Sequence, residues 1–545
     1  MDARKTILLA FALSGMAALI YEVTWTRPLQ FTLGSTVYTV SIIFASFMAG
    51  LSLGSWIISR YIDNTKNLFV VYALIELCIG FYGIASLMIF SLLPNAYGLT
   101  YSFRENFYLF NFVQFLLSFS VLLIPTMLMG ATFPVIAKIY IHKKIGKGIG
   151  EVYSVNNIGA IAGSFAAGFI LIPLLGIKSA ITIAALANII AAFLILYLFS
   201  RKIAMQVLPA AFIIFLVLIS ATSYDIEKLH TQGFYRINPV NNEVLFYKEG
   251  FYSTVSVAKD NSTIALLING KGQGSTVATD ARVNFLLGYL PILLKPESKT
   301  SLVIGLGTGT TSGILSKHTK TTTVEIEPAV VEASRYFWFM NFDVLNNTNH
   351  MLVIDDARNY LMHTTERFDI ISTEPCDPWQ SFSSSLYSKE FFEIVKKKLN
   401  DGGLFVQWVP IYTMSVDDFK SLYHTFTSVF PYAVAFVNVK NNEGLSTTEI
   451  ILIGSDREID VENIRRSFTS LPETERIYLR GIRIDSADDI LDLLLFTSDE
   501  MKGYADTNPI ITDDNCMLEF STSRKVLYQN PMETIADINR FIKGG

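Results

Sequence analysis

Charged side chains are nearly absent from the first 222 residues of this 545-residue chain, which hold only thirteen lysines and arginines. This absence excludes an ordinary water-exposed surface for the region. Its apolar runs are each long enough, at about 20 residues, to cross the hydrocarbon core of a bilayer. Seven such runs are predicted, near 6–25, 34–59, 68–93, 107–136, 153–174, 179–200 and 204–222. Residues 1–222 are therefore predicted to form a multi-pass α-helical membrane domain of about seven helices, followed by a linker at 223–244.

The basic residues of this region are shared unevenly between its loops. With the N-terminus inside, only Arg27, Arg104 and Lys178 fall on the outer side, and the other cations fall on the cytoplasmic side. Seven crossings would then place the soluble half on the outer face of the cell membrane. One span fewer reverses this outcome, so the side of the soluble half stays open.

Cysteines, metal-binding clusters and basic stripes are also scarce. The three cysteines do not make a disulfide framework, since Cys78 lies in an apolar run and only Cys376 and Cys516 could pair. No group of histidines, cysteines and acids has the spacing of metal ligands, so no metal is expected. A net charge of −5 and the absence of a basic aromatic stripe argue against nucleic acid as the partner.

Small and acidic residues interrupt the apolar runs at a few places. Gly159, Gly163 and Gly168 lie on one predicted helix, and small residues at this spacing let neighbouring helices approach closely. Glu22 lies within the first run, where a carboxylate is costly and normally faces a partner or a cavity. Two interpretations stay open for Glu22, an interfacial ion pair with Arg27 and the lining of a substrate path.

After residue 244 the pattern becomes that of a soluble α/β protein. The segment FYSTVSVAKDNSTIALLING alternates like a β-hairpin and predicts a small β-subdomain over 245–296. Strand-like runs then alternate with helical patterns, which predicts a mostly parallel, doubly wound, Rossmann-like domain over 297–455. Its strands are predicted at 301–305, 321–326, 351–354, 368–373 and 403–409. Residues 456–545 are predicted to form a C-terminal extension packed on this domain.

The most informative motif lies where the first of these strands ends. Gly305, Gly307 and Gly309 permit a tight strand-to-helix turn and let a ligand approach the backbone. Glu325 ends the next strand, about 18 residues further on, where an acid can accept hydrogen bonds from both ribose hydroxyls. This order of strand, glycine turn, helix, strand and acid predicts a nucleoside site.

Pairs of acids follow the third and fourth strands. Asp355 and Asp356 follow the third strand, where an acid can accept a hydrogen bond from an adenine amine. Glu374 and Asp377 lie just beyond the fourth strand, at the edge where an open α/β sheet binds its ligands. Two carboxylates there could bind a cationic substrate or remove a proton from an attacking amine. We therefore predict Glu374 and Asp377 as the catalytic residues.

Six motifs together resemble the spermidine synthase family: GKGQ (270–273), GLGTG (305–309), VEIEP (324–328), DDARNYL (355–361), EPCDP (374–378) and LYSKEFF (386–392). With the apolar runs, the whole chain resembles the membrane-fused spermidine synthase-like proteins. The resemblance implies an aminopropyltransferase that uses decarboxylated S-adenosylmethionine or S-adenosylmethionine, with a polyamine or other amine as acceptor. It implies nucleoside contacts from Gln273, Glu325 and Asp356. It also implies that Glu374 takes the place of the catalytic aspartate and that Asp377 matches the second acid.

The chain departs from the family pattern at three places. Thr308 stands where the soluble enzymes carry an aspartate in the glycine loop, and segment 280–285 lacks an aromatic residue and a carboxylate of their amine site. Glu374 is one methylene longer than aspartate. These departures leave two alternatives open, an S-adenosylmethionine-dependent methyltransferase and a non-catalytic transporter or sensor of polyamine or adenosyl ligands. The resemblance also leaves open a homo-oligomer, since the soluble relatives usually assemble as dimers or tetramers.

Overall fold

The structure is a computed structural model that describes residues 3–103, 105–141, 144–222, 243–260, 263–380, 383–438, 440–441, 444–445, 449–525 and 531–544. The chain divides into two compact units. The helical unit is Met1–Pro239 with Lys248–Phe251, and the α/β unit is Val240–Tyr247 with Tyr252–Gly545. Most of the predicted linker, residues 223–242, lies outside the described residues.

The described part of the helical unit consists of long apolar helices. They are α1 (Ala3–Leu33), α2 (Val37–Tyr61), α3 (Leu68–Thr100), α4 (Phe107–Tyr140), α5 (Ile145–Ala166), α6 (Ile172–Phe199) and α7 (Arg201–Ala221). Six helical stretches among the described residues are long and apolar enough to cross a membrane. Most of their charged residues lie at helix ends, where water is closest.

The structure counts six such stretches where the sequence predicts seven. The difference arises because α5 and α6 are joined through a π-helical turn, Ala167–Leu171, into one stretch of 55 residues. Gly176 interrupts this stretch with φ 82° and ψ 166°, which are not helical angles. A straight helix of that length would be about 80 Å long, against a bilayer core of about 30 Å. The predicted spans 153–174 and 179–200 thus lie on either side of the Gly176 break.

Two glycines of α5 allow it to pack closely against α1. A Cβ atom on Gly159 would lie 2.0 Å from the carbonyl oxygen of Ala12, and one on Gly163 would lie 2.2 Å from that of Met16. Only hydrogen fits at either position. The predicted close packing is confirmed for these two glycines. It is wrong for Gly168, where an added Cβ would have no neighbour within 4 Å.

The α/β unit begins with a small four-stranded sheet. Its strands are β1 (Glu243–Glu249), β2 (Thr254–Asp260), β3 (Thr263–Ile268) and β4 (Lys271–Ser275), in that spatial order. Strands β2, β3 and β4 are antiparallel neighbours, with Val257 opposite Leu266 in the β2–β3 hairpin. The predicted hairpin is therefore confirmed.

The large sheet has eight strands in the order β14-β10-β13-β9-β8-β5-β6-β7. They are β5 (Thr300–Ile304), β6 (Lys320–Glu325), β7 (His350–Ile354), β8 (Phe368–Thr373), β9 (Leu399–Val409), β10 (Tyr432–Val437), β13 (Ile450–Ser455) and β14 (Leu494–Phe496). Strands β5 to β9 are parallel and agree with the five predicted strands. The sheet is mixed, because β13, β10 and β14 are antiparallel neighbours beyond β9. The two-residue strands β11 (Lys440–Asn441) and β12 (Gly444–Leu445) form a separate hairpin.

Helices follow most of the strands and cover the large sheet. They are α8 (Ala278–Leu294), α9 (Thr310–His318), α10 (Pro328–Ser334), α11 (Trp338–Asn341), α12 (Ala357–His363), α13 (Lys389–Lys398), α14 (Val416–Val429), α15 (Asn463–Phe468), α16 (Glu473–Gly481), α17 (Ala487–Leu491), α18 (Met517–Lys525) and α19 (Pro531–Gly544). The central strands are apolar on both faces, as with Leu302 and Ile371, because helices shield both sides. Strand order reverses between β5 and β8, where open α/β sheets bind ligands.

Exchanging single glycines of α5 tests the packing against α1. We predict that Gly163→Leu lowers the free energy of unfolding of the helical unit by about 1–3 kcal/mol or more, because the side chain overlaps the α1 backbone. Gly168→Leu is the matched control and should change it little. Thermal unfolding of the purified chain measures both, and equal effects would contradict the packing.

Candidate active site

A cavity of about 390 Å³ lies at the carboxyl ends of β5, β6 and β8. It has the size expected for a small-molecule site and lies where the strand order reverses. Seven of the nine predicted site residues line it: Gln273, Gly305, Gly307, Glu325, Asp355, Asp356 and Glu374. The two others, Gly309 and Asp377, do not line it. The structure therefore brings most of the predicted site together.

The glycine loop forms one wall of this cavity. Gly305 has φ +84°, and a Cβ atom there would lie 3.6 Å from the carbonyl oxygen of Glu374. Gly309 precedes α9 with φ +83° and shapes the turn without reaching the cavity. Asn341 holds the loop from behind, because its Nδ2 donates to the Thr308 carbonyl oxygen at 2.8 Å. The loop is thus fixed by a side chain that is not part of the cavity lining.

Glu325 lies at the end of β6 and is buried. Its carboxylate accepts hydrogen bonds from the backbone N–H of Leu306 at 2.8 Å and of Glu327 at 2.9 Å. Burial raises the pKa of Glu325, and these backbone donors oppose that shift. Each carboxylate oxygen keeps a further lone pair, so the group can still accept ligand hydroxyls.

Glu327 connects the carboxyl end of β6 to the segment before β2. It is buried, and its Oε2 accepts hydrogen bonds from the backbone N–H of Tyr252 at 2.9 Å and of Ser253 at 3.1 Å. Its Oε1 accepts from the Ala329 N–H at the start of α10. All three residues Tyr252, Ser253 and Glu327 line the cavity. This carboxylate therefore fixes a wall of the site.

Three further polar side chains line the same cavity. The Nε2 atom of Gln273 is buried and has no hydrogen-bond partner among the described residues, so it can donate to a ligand. Asp356 caps α12 through the Asn359 N–H at 2.8 Å. Asp355 accepts from the Asp356 N–H at 2.8 Å and from Asn359 Nδ2 at 3.0 Å. The two aspartates are held in place by local bonds and face the cavity as fixed acceptors.

Glu374 follows β8 and faces the cavity. Asn284 of α8 donates to its Oε1 at 3.2 Å, and Thr308 donates to the Oδ1 of Asn284 at 3.1 Å. Burial, with the nearby negative charge of Glu449, raises the pKa of Glu374 to about 8. A cationic ligand would oppose this shift, because it stabilises the charged form.

A second carboxylate near Glu374 comes from a distant part of the chain. Glu449 immediately precedes β13, and Asn438 donates to its Oε2 at 3.1 Å. Burial and the charge of Asp280 raise the pKa of Glu449 to about 7. Asp280 itself accepts a hydrogen bond from Ser275 at 2.7 Å. Acids from three segments thus interact electrostatically at one place.

Asp377 is fully buried and bonded on both oxygens. Tyr412 donates to its Oδ1, and Lys271 forms an ion pair with its Oδ2. Lys271 also donates to the Tyr412 hydroxyl at 3.0 Å and lies 5.5 Å from the centre of the Trp379 ring. Burial lowers the pKa of Lys271 to about 8, while Cys376, Glu449 and Glu374 oppose that change. This geometry makes Asp377 a partner of Lys271 and keeps it off the cavity wall.

The C-terminal segment fastens the helix that carries the Asp355–Asp356 pair. Arg358 of α12 donates to Asp513 Oδ1 at 2.9 Å, and a second bond to Oδ2 makes the pair bidentate. The Arg358 guanidinium lowers the pKa of Asp513. Cys516 and Cys376 are both free thiols, so the pairing open to them in the sequence is not formed.

Comparison with known protein families identifies the centre of this unit. The family described as the spermine/spermidine synthase domain matches residues 282–456, which run from α8 through β13. Residues 282–456 are a spermine/spermidine synthase domain. The resemblance predicted from the six motifs is confirmed.

Curated relatives of the synthase domain extend beyond it in both directions. The chain is 24% identical over 475 residues to polyamine aminopropyltransferase 2 of Aquifex aeolicus, covering 85% of this chain and 90% of that protein. It is 24% identical over 427 residues to polyamine aminopropyltransferase of Oceanobacillus iheyensis, covering 76% and 79%. Thermospermine synthase ACAULIS5 of Arabidopsis thaliana is 34% identical over 205 residues, covering 36% of this chain and 59% of that protein.

Solved structures similar to the synthase domain include a spermidine synthase in complex with the transition state analogue AdoDATO. It covers 43% of this chain and 88% of its own chain at 18% identity, with a TM-score of 0.37. Spermidine synthase from Thermotoga maritima covers 43% and 87% at 18% identity, with a TM-score of 0.36.

Sequence reasoning missed several groups at the site of the synthase domain. Lys271 lies inside the GKGQ motif, two residues before Gln273. Its position in that motif, followed by alternating small residues, was a local signal for a site residue. Glu327 likewise lies within VEIEP, two residues after Glu325. Glu449 carries no such signal, because it lies in a polar loop after β12 and reaches the site only through the fold.

The raised pKa of Glu374 makes the stability of the synthase domain depend on pH. Between about pH 4.5 and about pH 8, Glu374 keeps its proton in the folded chain but has lost it in the unfolded chain. The stabilisation that this proton gives is fully present below the ordinary pKa of 4.5, and it is lost as the pH rises through the folded-state pKa of about 8. We predict that Glu374→Gln, which cannot titrate, gains thermal stability relative to the native chain at about pH 9 but not at about pH 5.

Thermal unfolding of both proteins across that pH range measures the difference. The exposed carboxylate variant Glu366→Gln is the control and should follow the native chain at every pH. Parallel curves for the native chain and Glu374→Gln would contradict the raised pKa.

Proposed function

We propose that the chain is an aminopropyltransferase that moves an aminopropyl group from decarboxylated S-adenosylmethionine to an amine nitrogen of a polyamine. The observation that carries this proposal is that Glu374 lines the same cavity as Glu325. A candidate ribose acceptor and a candidate base thus line one cavity. The polyamine aminopropyltransferases among its relatives support the same reaction class.

The adenosyl part of the donor is assigned to the glycine-loop side of the cavity. Glu325 accepts the ribose hydroxyls with its free lone pairs, since its backbone bonds already fix its orientation. Gln273 supplies the buried donor, and Asp355 and Asp356 supply acceptors for the adenine amine. The glycine loop lets the ligand lie against the backbone.

The amine part of the site is assigned to the acids around Glu374. Raised pKa values show that a bare negative charge is unfavourable there, so a cationic ligand is favoured. Both substrates provide one, as the sulfonium and aminopropyl ammonium of the donor and the ammonium groups of the acceptor. The negative cluster of Glu374, Glu449 and Asp280 also disfavours the extra carboxylate of intact S-adenosylmethionine. Decarboxylated donor is therefore the preferred substrate.

In the transfer step, Glu374 takes a proton from the acceptor ammonium and leaves a neutral amine with a free electron pair. That nitrogen attacks the donor carbon next to the sulfonium, a C–N bond forms and the C–S bond breaks. The bond electrons remain on sulfur, so the donor leaves as neutral methylthioadenosine. Asn284 orients Glu374, and Asp377 acts through Lys271 as a positioning residue. No metal is needed for this step.

We further propose that the protein is anchored in the cell membrane as a multi-pass protein, with the bilayer as its partner. Six stretches of sufficient length and apolarity support this anchor. The distribution of the basic residues supports an N-terminus on the inner side. An odd number of crossings puts the synthase domain outside and an even number puts it inside.

A methyltransferase is the second candidate, favoured by one observation. The glycine loop carries Thr308 in place of an acid, and its hydroxyl is bonded to Asn284 and Thr310. Without an acid in that loop, the carboxylate of intact S-adenosylmethionine meets less repulsion there. The same three acids around Glu374 then serve a cationic methyl acceptor.

Substitutions separate donor binding from turnover. We predict that Glu325→Ala removes donor binding, because it deletes the ribose acceptor, and that Glu374→Gln keeps donor binding within about threefold but lowers turnover by about 100-fold or more. Isothermal titration measures binding, and product formation measures turnover. Glu366→Gln, an exposed carboxylate, is the control for both. Native-like turnover in Glu374→Gln would rule out its role as base.

A further inference from the structure

A second cavity, of about 920 Å³, lies wholly within the helical unit, between α1, α2, α4 and α5. Its lining is unusual for an apolar helix bundle, because it contains acidic, amide and hydroxyl side chains together with aromatic rings. The polar members are Ser14, Glu22, Ser52, Ser55, Ser59, Thr132 and Asn156. We call this space the Glu22 cavity.

The carboxylate of Glu22 has no hydrogen bond or ion pair to any described residue. The predicted ion pair with Arg27 is not formed, and the Arg27 guanidinium instead donates to the Gly250 carbonyl oxygen at 2.9 Å. Glu22 is only partly exposed, and it lines the cavity together with Ser14 and the apolar α1 residues Phe11, Ala18 and Leu19. A carboxylate kept in such surroundings is costly unless something pairs with it.

The contrast with Glu76, the other acid within these helices, is informative. Glu76 is fully buried, and Asn188 donates to its Oε2 at 2.7 Å. Its Oε1 has no hydrogen-bond partner among the described residues, and Glu76 does not line the Glu22 cavity. Glu22 has no such amide and opens into a cavity, so its position fits a ligand better than packing does.

The other walls of the Glu22 cavity fit an alkyl chain that carries a cation. Asn156 lies against the α1 backbone, since a Cβ on Gly15 would come within 2.6 Å of its Oδ1. Ser52 and Ser55 lie three residues apart on one face of α2, and both line the cavity. Tyr153 adds an exposed ring, and aromatic faces attract ammonium groups, whereas the Arg60 guanidinium already lies 3.7 Å from the centre of the Trp56 ring. The cavity therefore offers acceptors for N–H groups as well as apolar surfaces for methylenes.

We propose that the Glu22 cavity binds an alkylammonium group, with Glu22 as its counter-ion. This group has two sources, a soluble polyamine or the amine headgroup of a phospholipid. The chemistry is the same in both cases, because each offers a cation with N–H donors next to an apolar chain. The site is independent of the proposed transferase activity and does not rest on it.

Equilibrium dialysis of the full chain in detergent, with labelled spermidine, tests the first source. Glu22→Gln should weaken one class of bound spermidine about tenfold or more, as expected when one member of a partly desolvated charge pair is removed. Glu22→Asp should keep it. Glu105→Gln, an exposed carboxylate of the loop before α4, should bind like the native chain. Transferase turnover should stay native in all three, which separates this site from the synthase domain.

Mass spectrometry of the intact purified chain tests the second source. A phosphatidylethanolamine molecule retained by the native chain and by Glu22→Asp, but lost from Glu22→Gln, would support the proposal with a lipid amine. Thermal unfolding confirms that each variant is folded. The proposal is overturned if Glu22→Gln, folded, keeps native binding of both spermidine and lipid amine, or if Glu105→Gln loses them equally.

Discussion

Negative charge gathered at one place is the constraint on which the proposed chemistry depends. Glu374, Glu449 and Asp280 belong to the β8 end, the loop before β13 and the start of α8, and the fold brings their charges close enough to raise two of their pKa values. Desolvation of Glu374 and Glu449, together with the nearby charge of the exposed Asp280, makes their charged forms costly, and a bound cation relieves that cost. Substrate selection follows directly, because a sulfonium and an ammonium are the ligands that benefit most.

The remaining parts of the synthase domain serve to hold that charge in position. Asn284 links Glu374 to the glycine loop through Thr308, so the candidate base and the nucleoside wall are connected by side-chain bonds. Lys271 forms an ion pair with Asp377, and its positive charge therefore lies close to the acids. The helical unit contains a simpler version of the same situation, since Glu22 is an acid in apolar surroundings that faces a cavity. In both units a partly buried carboxylate that faces a cavity indicates what kind of ligand can bind.

Prediction from the sequence succeeded for elements and residues that lie within a recognisable local pattern. The strands β5 to β9 were predictable from apolar runs, and Glu325 was predictable because a fixed distance separates it from the glycine turn. It failed where contacts join distant segments. Glu449 approaches Glu374 only because β13 pairs with β9, and nothing near residue 449 signals that pairing. The sequestration of Asp377 by Lys271 and Tyr412 likewise depends on packing that no local pattern records.

The most direct test of aminopropyl transfer is the identity of the adenosyl by-product. The purified chain would be incubated with decarboxylated or intact S-adenosylmethionine, with and without putrescine or spermidine, and the products separated by mass spectrometry. We predict methylthioadenosine, formed only from the decarboxylated donor and in step with an elongated polyamine. S-adenosylhomocysteine from the intact donor would contradict it in favour of methyl transfer, and tight binding without either by-product would contradict catalysis itself.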